Sequence, residues 1–132
     1  MKSTAQLLIE SFVASNRLSE KSINANGILN FVIDNYFRIR LYESRSGHLV
    51  IHSKLYNLPS NPNEKDSIVV KIGRIAQILP NFSLASIVID PQESAIWVQR
   101  LLMPAVGLDG LKVALADYIN CLEMLFSTIK RS

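Results

Sequence analysis

One cysteine stands in 132 residues, so no disulfide can form within the chain and the fold must hold without that staple. A lone cysteine suits a reducing compartment. Cys121 falls in the middle of an apolar periodic stretch, away from any helix start, His or Lys that would lower its pKa, and reads as packing. There are two histidines, His48 and His52. Four residues apart on a strand they are separated by about 13 Å, too far to chelate one ion together. The five glycines, Gly27, Gly47, Gly73, Gly107 and Gly110, are dispersed, and GLDGLK lacks the spacing of a phosphate-binding loop. Glu10, Asp34, Glu64, Asp90, Glu93, Asp109 and Asp117 are scattered as well, with no acid–base pair at a working separation. No metal, no cofactor and no enzymatic activity is therefore expected.

Long apolar runs are missing too. Nothing approaches the roughly 18 apolar residues of a membrane span. The opening MKSTAQLLIESFVAS is interrupted at Glu10 and is too short for a signal peptide's apolar region. A soluble, intracellular protein is expected. No block of like charge occurs either: the 14 Lys and Arg are spread along the chain.

What the chain has is grease. Hydrophobic residues make up 48% of it and charged residues 19%, below the typical ~25%. The mean hydropathy is +0.20 and the sequence pI about 9.2. A lone domain of this length does not comfortably hide so much apolar side chain. Part of its surface is expected to be covered by a partner or by a second copy.

Periodicity supplies the elements. Ser3 or Thr4 can cap a first helix on which Ala5, Leu8 and Phe12 fall at helical spacing, flanked by Ile9 and Val13. Asn26-Gly27 marks a turn, after which the period becomes two. Strands are expected over residues 27–34, 36–42 and 48–56, joined by tight turns at Asp34-Asn35 and at 44–47, hence an antiparallel meander. Phe37, Ile39 and Leu41 belong to one face of the second strand, and Tyr36, Arg38, Arg40 and Tyr42 to the other. Residues 58–66 read as a loop. Asp66 or Ser67 can cap a second helix carrying Ile68, Ile72, Ile75 and Leu79, stopped by Pro80. Strands at 84–90 and 95–103 follow, turned by residues 91–94. A final helix is capped by Asp109, with Leu111, Leu115, Tyr118 or Ile119, Leu122, Phe126 and Ile129 as its apolar face. The order helix, three strands, helix, two strands, helix predicts a single α+β domain over residues 1–132, two-layered, with a twisted antiparallel sheet.

Three stretches carry a resemblance. AQLLIESFVAS is similar to the first helix, FVIDNYFRIRLYES to the first hairpin, and AIWVQRLLMPAVGLDGLKVALADYINCLEMLF to the closing strand, connection and helix of the class I type III secretion chaperones, the Tir-chaperone-like family. The resemblance spans nearly the whole chain. It implies a small bacterial cytoplasmic protein that is not an enzyme. Such a protein binds the N-terminal chaperone-binding segment of a secreted effector and keeps it soluble and partly unfolded for export. It also implies a dimer, homomeric or heteromeric, built from helix 2 and the C-terminal part of the sheet: Ile68, Ile72, Ile75, Trp97, Leu101 and Met103. Residues expected to touch the effector are Leu8, Phe12, Val32, Tyr36, Arg38 and Val50, with apolar client side chains in grooves beside helix 1 and main-chain hydrogen bonds at a free strand edge. The basic pI departs from family members, which are commonly acidic. The alternative reading of the residues is a basic nucleic-acid-binding module using the face of Tyr36, Arg38, Arg40 and Tyr42.

Overall fold

The computed structural model describes residues 2–34, 36–81, 83–90, 92 and 94–130. Ser3 opens helix α1 (Thr4–Ser15): its Oγ accepts from the backbone N–H of Gln6 at 3.1 Å, satisfying one of the donors a helix start leaves free. The buried face is Ala5, Leu8, Ile9, Phe12 and Val13, the stripe the 3.6-residue period demands. A tight loop then leads into the sheet. Asn24 Oδ1 accepts from the N–H groups of Asn26 and Ile28 at 2.9 and 3.1 Å, while Gly27 takes a φ of 79°. Glycine is required there, because a Cβ would also come within 3.0 Å of Gln6 Oε1.

Strands β1 (Leu29–Ile33), β2 (Phe37–Glu43) and β3 (Leu49–Asn57) form the expected meander. In the antiparallel β1–β2 pair Leu29 faces Leu41, Phe31 faces Ile39 and Ile33 faces Phe37. The β2–β3 pair sets Ile39 opposite Ser53 and Leu41 opposite Ile51. Alternation along β2 is complete: Phe37, Ile39 and Leu41 are buried, and the residues between them are not. The turn between β1 and β2 uses Asp34 at φ 55°; its neighbour Asn35 lies outside the described residues. Gly47, at φ 84°, closes the next turn, where Gly47 N–H bonds to Ser44 O.

Helix α2 (Pro62–Ile78) begins earlier than the sequence pattern indicates. The cap is Asn61, not Asp66 or Ser67: its Oδ1 accepts from Asn63 and Glu64 N–H. Pro62, at the first helical position, lacks only an N–H that would be unpaired there anyway. The residues expected to be loop thus form the first turn of the helix. A short 3-10 turn (Leu79–Asn81) carries Pro80. Strand β4 (Ser86–Asp90) pairs antiparallel with β5 (Ala95–Leu102). The turn expected between them includes Pro91 and Glu93, which lie outside the described residues. Helix α3 (Gly107–Lys130) starts two residues before Asp109, which sits in its first turn rather than at its cap. The buried residues of α3 include Leu111, Leu115, Tyr118, Leu122, Leu125 and Ile129; Ile119 and Phe126 are half-buried.

The five strands make one sheet in the order β1-β2-β3-β5-β4, within the α+β class. The chain forms two compact units. The first comprises Met1–Ser53 with Leu101–Leu115, the second Lys54–Arg100 with Ala116–Ser132. In the first, Phe12 of α1 meets Phe31 of β1 with ring centroids 5.6 Å apart, so α1 covers the face of Leu29, Ile39 and Leu41. Ser53, fully buried, donates to Arg38 O at 2.8 Å and so meets the requirement that buried polar groups be paired. In the second unit, Tyr118 of α3 donates to Val98 O of β5 at 2.6 Å, and Lys71 of α2 donates to Thr128 O of α3 at 3.2 Å.

Candidate partner-binding surfaces

In the first unit, the sheet face opposite α1 is assembled by register. Val32 faces Arg38, Arg40 lies between Asn30 and His52, and Tyr42 faces Val50. Val32 is 54% exposed and Tyr36 56% exposed; Asn30 and Arg38 are exposed as well. Exposure falls toward β3, where Arg40, Tyr42 and His52 are half-buried and Val50 is 3% exposed. The half-buried members brace one another. The Arg40 guanidinium stands 5.8 Å from the Tyr42 ring centroid, and the Tyr42 and His52 rings meet edge-on at 6.3 Å. Strand β1 ends the sheet. Ile23 bridges to Leu29, and among the described residues no strand runs along the outer side of Asn30 to Ile33.

The six residues read from the sequence as effector-binding therefore fall into three settings. Val32, Tyr36 and Arg38 form one exposed patch at the β1–β2 hairpin. Val50 shares their face but is buried. Leu8 and Phe12 are buried on the opposite side of the sheet. The same unit exposes apolar side chains that the pattern did not mark: Leu7 on α1, Val106 before α3 and Val113 on α3. For Leu7 and Val113 a sequence signal was available, since each lies out of phase with the buried stripe of its helix; Val106, in the turn before α3, has no such phase.

Six residues were expected at a dimer interface. Ile72 is 1% exposed, and Ile68 and Ile75 are half-buried. Trp97 is half-buried, with Lys54 Nζ 5.4 Å from its ring centroid. Leu101 and Met103, in the first unit, are more than half exposed. The second unit shows a wider apolar surface than those residues alone. Helix α2 fully buries only Ile72 among its 17 residues, and leaves Val70 and Ile78 exposed. Strand β4, at the other end of the sheet, has no buried residue; Val88 is exposed opposite Trp97, and Ile89 is exposed beside it. Leu84 is the most exposed large apolar side chain described, at 75%. The sequence pattern placed Leu84 at the start of the fourth strand; it lies instead in the connection before β4, which begins at Ser86.

A cavity of about 550 Å³ in the second unit is lined by Ser83, Leu84, Arg100, Asp117 and Cys121 among others. Burial pushes the Cys121 thiol above its ordinary 9.0, against the smaller lowering effect of its hydrogen bond with Ser83. A thiol held neutral in this way is a poor nucleophile near pH 7. Among the described residues no group of His, Cys, Asp and Glu is placed to hold a metal ion, and no helix is long and apolar enough to cross a membrane.

The arrangement thus offers apolar surface and strand edges rather than convergent reactive groups. Sequence comparison accounts for it: the profile of the Tir chaperone protein (CesT) family matches residues 7–125. The chain belongs to that family. Its resemblance to secretion chaperones, first carried by α1, the β1–β2 hairpin and the β5–α3 segment, is the relationship found. No curated protein sequence matches the chain significantly. Three of the solved structures similar to this CesT-family chain are complexes. One is the ExsC–ExsE complex, with a TM-score of 0.72 at 13% identity, covering 92% of this chain and 90% of that one. A second is the HopA1–SchA chaperone–effector complex, with a TM-score of 0.69 at 14% identity, covering 96% and 99%. A third is the Yersinia pestis type III secretion chaperone SycH with a stable fragment of YscM2, with a TM-score of 0.65 at 17% identity, covering 92% and 98%. At these identities the likeness establishes the fold.

Proposed function

We propose that this chain is a cytoplasmic, non-enzymatic type III secretion chaperone. It binds the N-terminal segment of a secreted effector and keeps that segment soluble and partly unfolded for export. The observation that carries the reading is the family match over residues 7–125, on a fold similar to a chaperone–effector complex. The surface chemistry supports it. Binding an extended client without turnover needs apolar side chains in contact with water and an open strand edge. The patch of Val32 and Tyr36 beside the outer side of β1 supplies both.

The chain acts as a homodimer in this reading, through the apolar surface of α2, β4 and β5. Fully burying a Val, Leu or Ile contributes ~1.5–3 kcal/mol. The side chains here are about half exposed, so each has roughly 1 kcal/mol to gain. Val70, Ile78, Leu84, Val88, Ile89 and Met124 would give about 6 kcal/mol from each copy, about 12 kcal/mol for the pair, which is of the order of the ~4–15 kcal/mol cost of association. The half-buried Ile68, Ile75 and Trp97 would add to that margin.

Light scattering on the purified chain tests the assembly, and a mass near twice 14.8 kDa is expected at micromolar concentration. Co-production with a secreted protein encoded beside it tests the activity: the secreted protein should become soluble, and deleting its N-terminal segment should abolish the gain. A monodisperse 14.8 kDa species, together with no effect on any neighbouring product, rejects the proposal.

A further inference from the structure

The cationic side chains of the exposed sheet face have no acidic counterpart on it. The face presents Asn30, Val32, Tyr36, Arg38, Arg40, Tyr42 and His52 by strand alternation and register, without an Asp or Glu. The nearest carboxylates in sequence are placed elsewhere. Glu43 lies on the other side of β2, where it accepts from Ser3 Oγ at 2.9 Å, and Asp34 stands in the turn. Among the described residues neither Arg38 nor Arg40 makes an ion pair. The Cα atoms of Arg38 and Arg40, alternate residues of one strand, stand about 6.6 Å apart along it. Exposed arginines on a folded sheet are ordinarily interspersed with acids, since like charges set close together repel.

From this we infer that the segment held by the chaperone is acidic. It is an extended peptide with carboxylates two residues apart that engage Arg38 and Arg40, while its apolar side chains lie on Val32 and Tyr36. The inference rests on the proposed client-binding reading and names the chemistry of that client. Alternate residues of an extended peptide repeat at the same ~6.6 Å as the Cα atoms of the two arginines, so the two backbones share one period. Guanidinium groups present a planar fork of donors that takes carboxylates two-pronged. Tyr42, against which Arg40 stands, limits that side chain's freedom before any ligand arrives. Nucleic acid fits less well. Two arginines and a half-buried histidine are a short footprint beside the several phosphate contacts such binding uses, and Val32 has no use in it. The same feature explains why this chain is basic: its pI of about 9.2 complements the charge of what it carries.

Selection from a displayed library of random 12-residue peptides on the purified full chain tests the inference, run in parallel on Arg38→Gln/Arg40→Gln and on Arg38→Glu. Circular dichroism confirms that each variant is folded, as expected for exposed and half-exposed positions. The wild type should enrich peptides carrying Asp or Glu at alternate positions together with apolar residues. The glutamine variant should bind the best of these about fivefold more weakly or worse, and Arg38→Glu should lose the acidic preference. Added salt should weaken the wild-type complex more than the variant complexes. Peptides enriched without acidic bias, or an acidic bias unchanged in both variants, overturn the inference while leaving client binding standing. A chain that selects no peptide of any charge overturns the client-binding reading and the inference together. A 15-nucleotide single-stranded RNA bound more tightly than the selected peptides, and lost in Arg38→Glu, assigns the face to nucleic acid instead.

Discussion

Tyr118 Oη donates a 2.6 Å hydrogen bond to the carbonyl oxygen of Val98, and the Tyr118 side chain is completely buried. A helix and a strand 20 residues apart in the chain are held by one polar contact inside an apolar layer. Removing the hydroxyl leaves the ring in place and takes away the donor. Tyr118→Phe should lower the unfolding free energy by about 1–2 kcal/mol, measured as a shift of the urea midpoint without a change in slope.

Gly110 and Gly73 are both helical and should respond oppositely to alanine. A Cβ at Gly110 would stand 2.7 Å from Val106 Cβ, whereas one at Gly73 meets nothing within 4 Å. Overpacking costs ~1–3 kcal/mol, more than the ~1 kcal/mol that alanine gains in helix propensity. Gly110→Ala should therefore destabilise the chain, and Val106→Gly should restore part of the loss. Gly73→Ala should add about 0.5–1 kcal/mol. Thermal unfolding of the four proteins separates these outcomes.

Cys121 predicts an alkaline effect of definite sign. The folded chain holds the thiol neutral past its ordinary value of 9.0, chiefly by burial, while the unfolded chain lets it ionise near that value. Below pH 9 both states keep the proton, so the contribution is fully present. Above it the unfolded state alone releases the proton, and stability falls until the raised folded pKa is passed. The urea midpoint of the wild type should drop faster above pH 9 than that of Cys121→Ala, and the two should run parallel between pH 6 and 8. Thiol modification at pH 7 should be slow in the native protein and rapid in urea.

Charges placed on the two apolar surfaces should separate assembly from client binding. Ile78→Asp and Val88→Lys, both in the second unit, should each shift the light-scattering mass toward the monomer. They alter exposed positions, so unfolding midpoints extrapolated to low concentration should stay within about 0.5 kcal/mol of the wild type. Val32→Asp, on the exposed face of the first unit, should leave the mass unchanged and weaken client solubilisation.

Much of the fold was legible because period and burial agree in β2 and α1. Phe37, Ile39 and Leu41 alternate with polar residues, and Ala5, Leu8 and Phe12 repeat with the helix, so each element announced its own inner face. The start of α2 was not legible in the same way. Pro62 and the surrounding asparagines read as loop chemistry, yet Asn61 is a good cap and Pro62 a good first residue, so the same side chains serve both states. The surplus of apolar residues was legible, but not which of them stand exposed. Leu8 and Ile72 carry the strongest periodic signals and are buried for that reason. Val70, Ile78 and Leu7, exposed, stand outside the stripes. An exposed apolar residue of these helices is one out of phase with the buried stripe, and strand Val50 adds a further difficulty: alternation placed it on the open face of the sheet, while its burial there depends on packing that no local pattern records.

Strand β4 closes the sheet with Ile87, Val88 and Ile89 in its interior, and with no lysine or proline among them to discourage pairing. An open border of that composition invites pairing with another extended chain. Covering it in the proposed dimer would also withdraw it from such encounters.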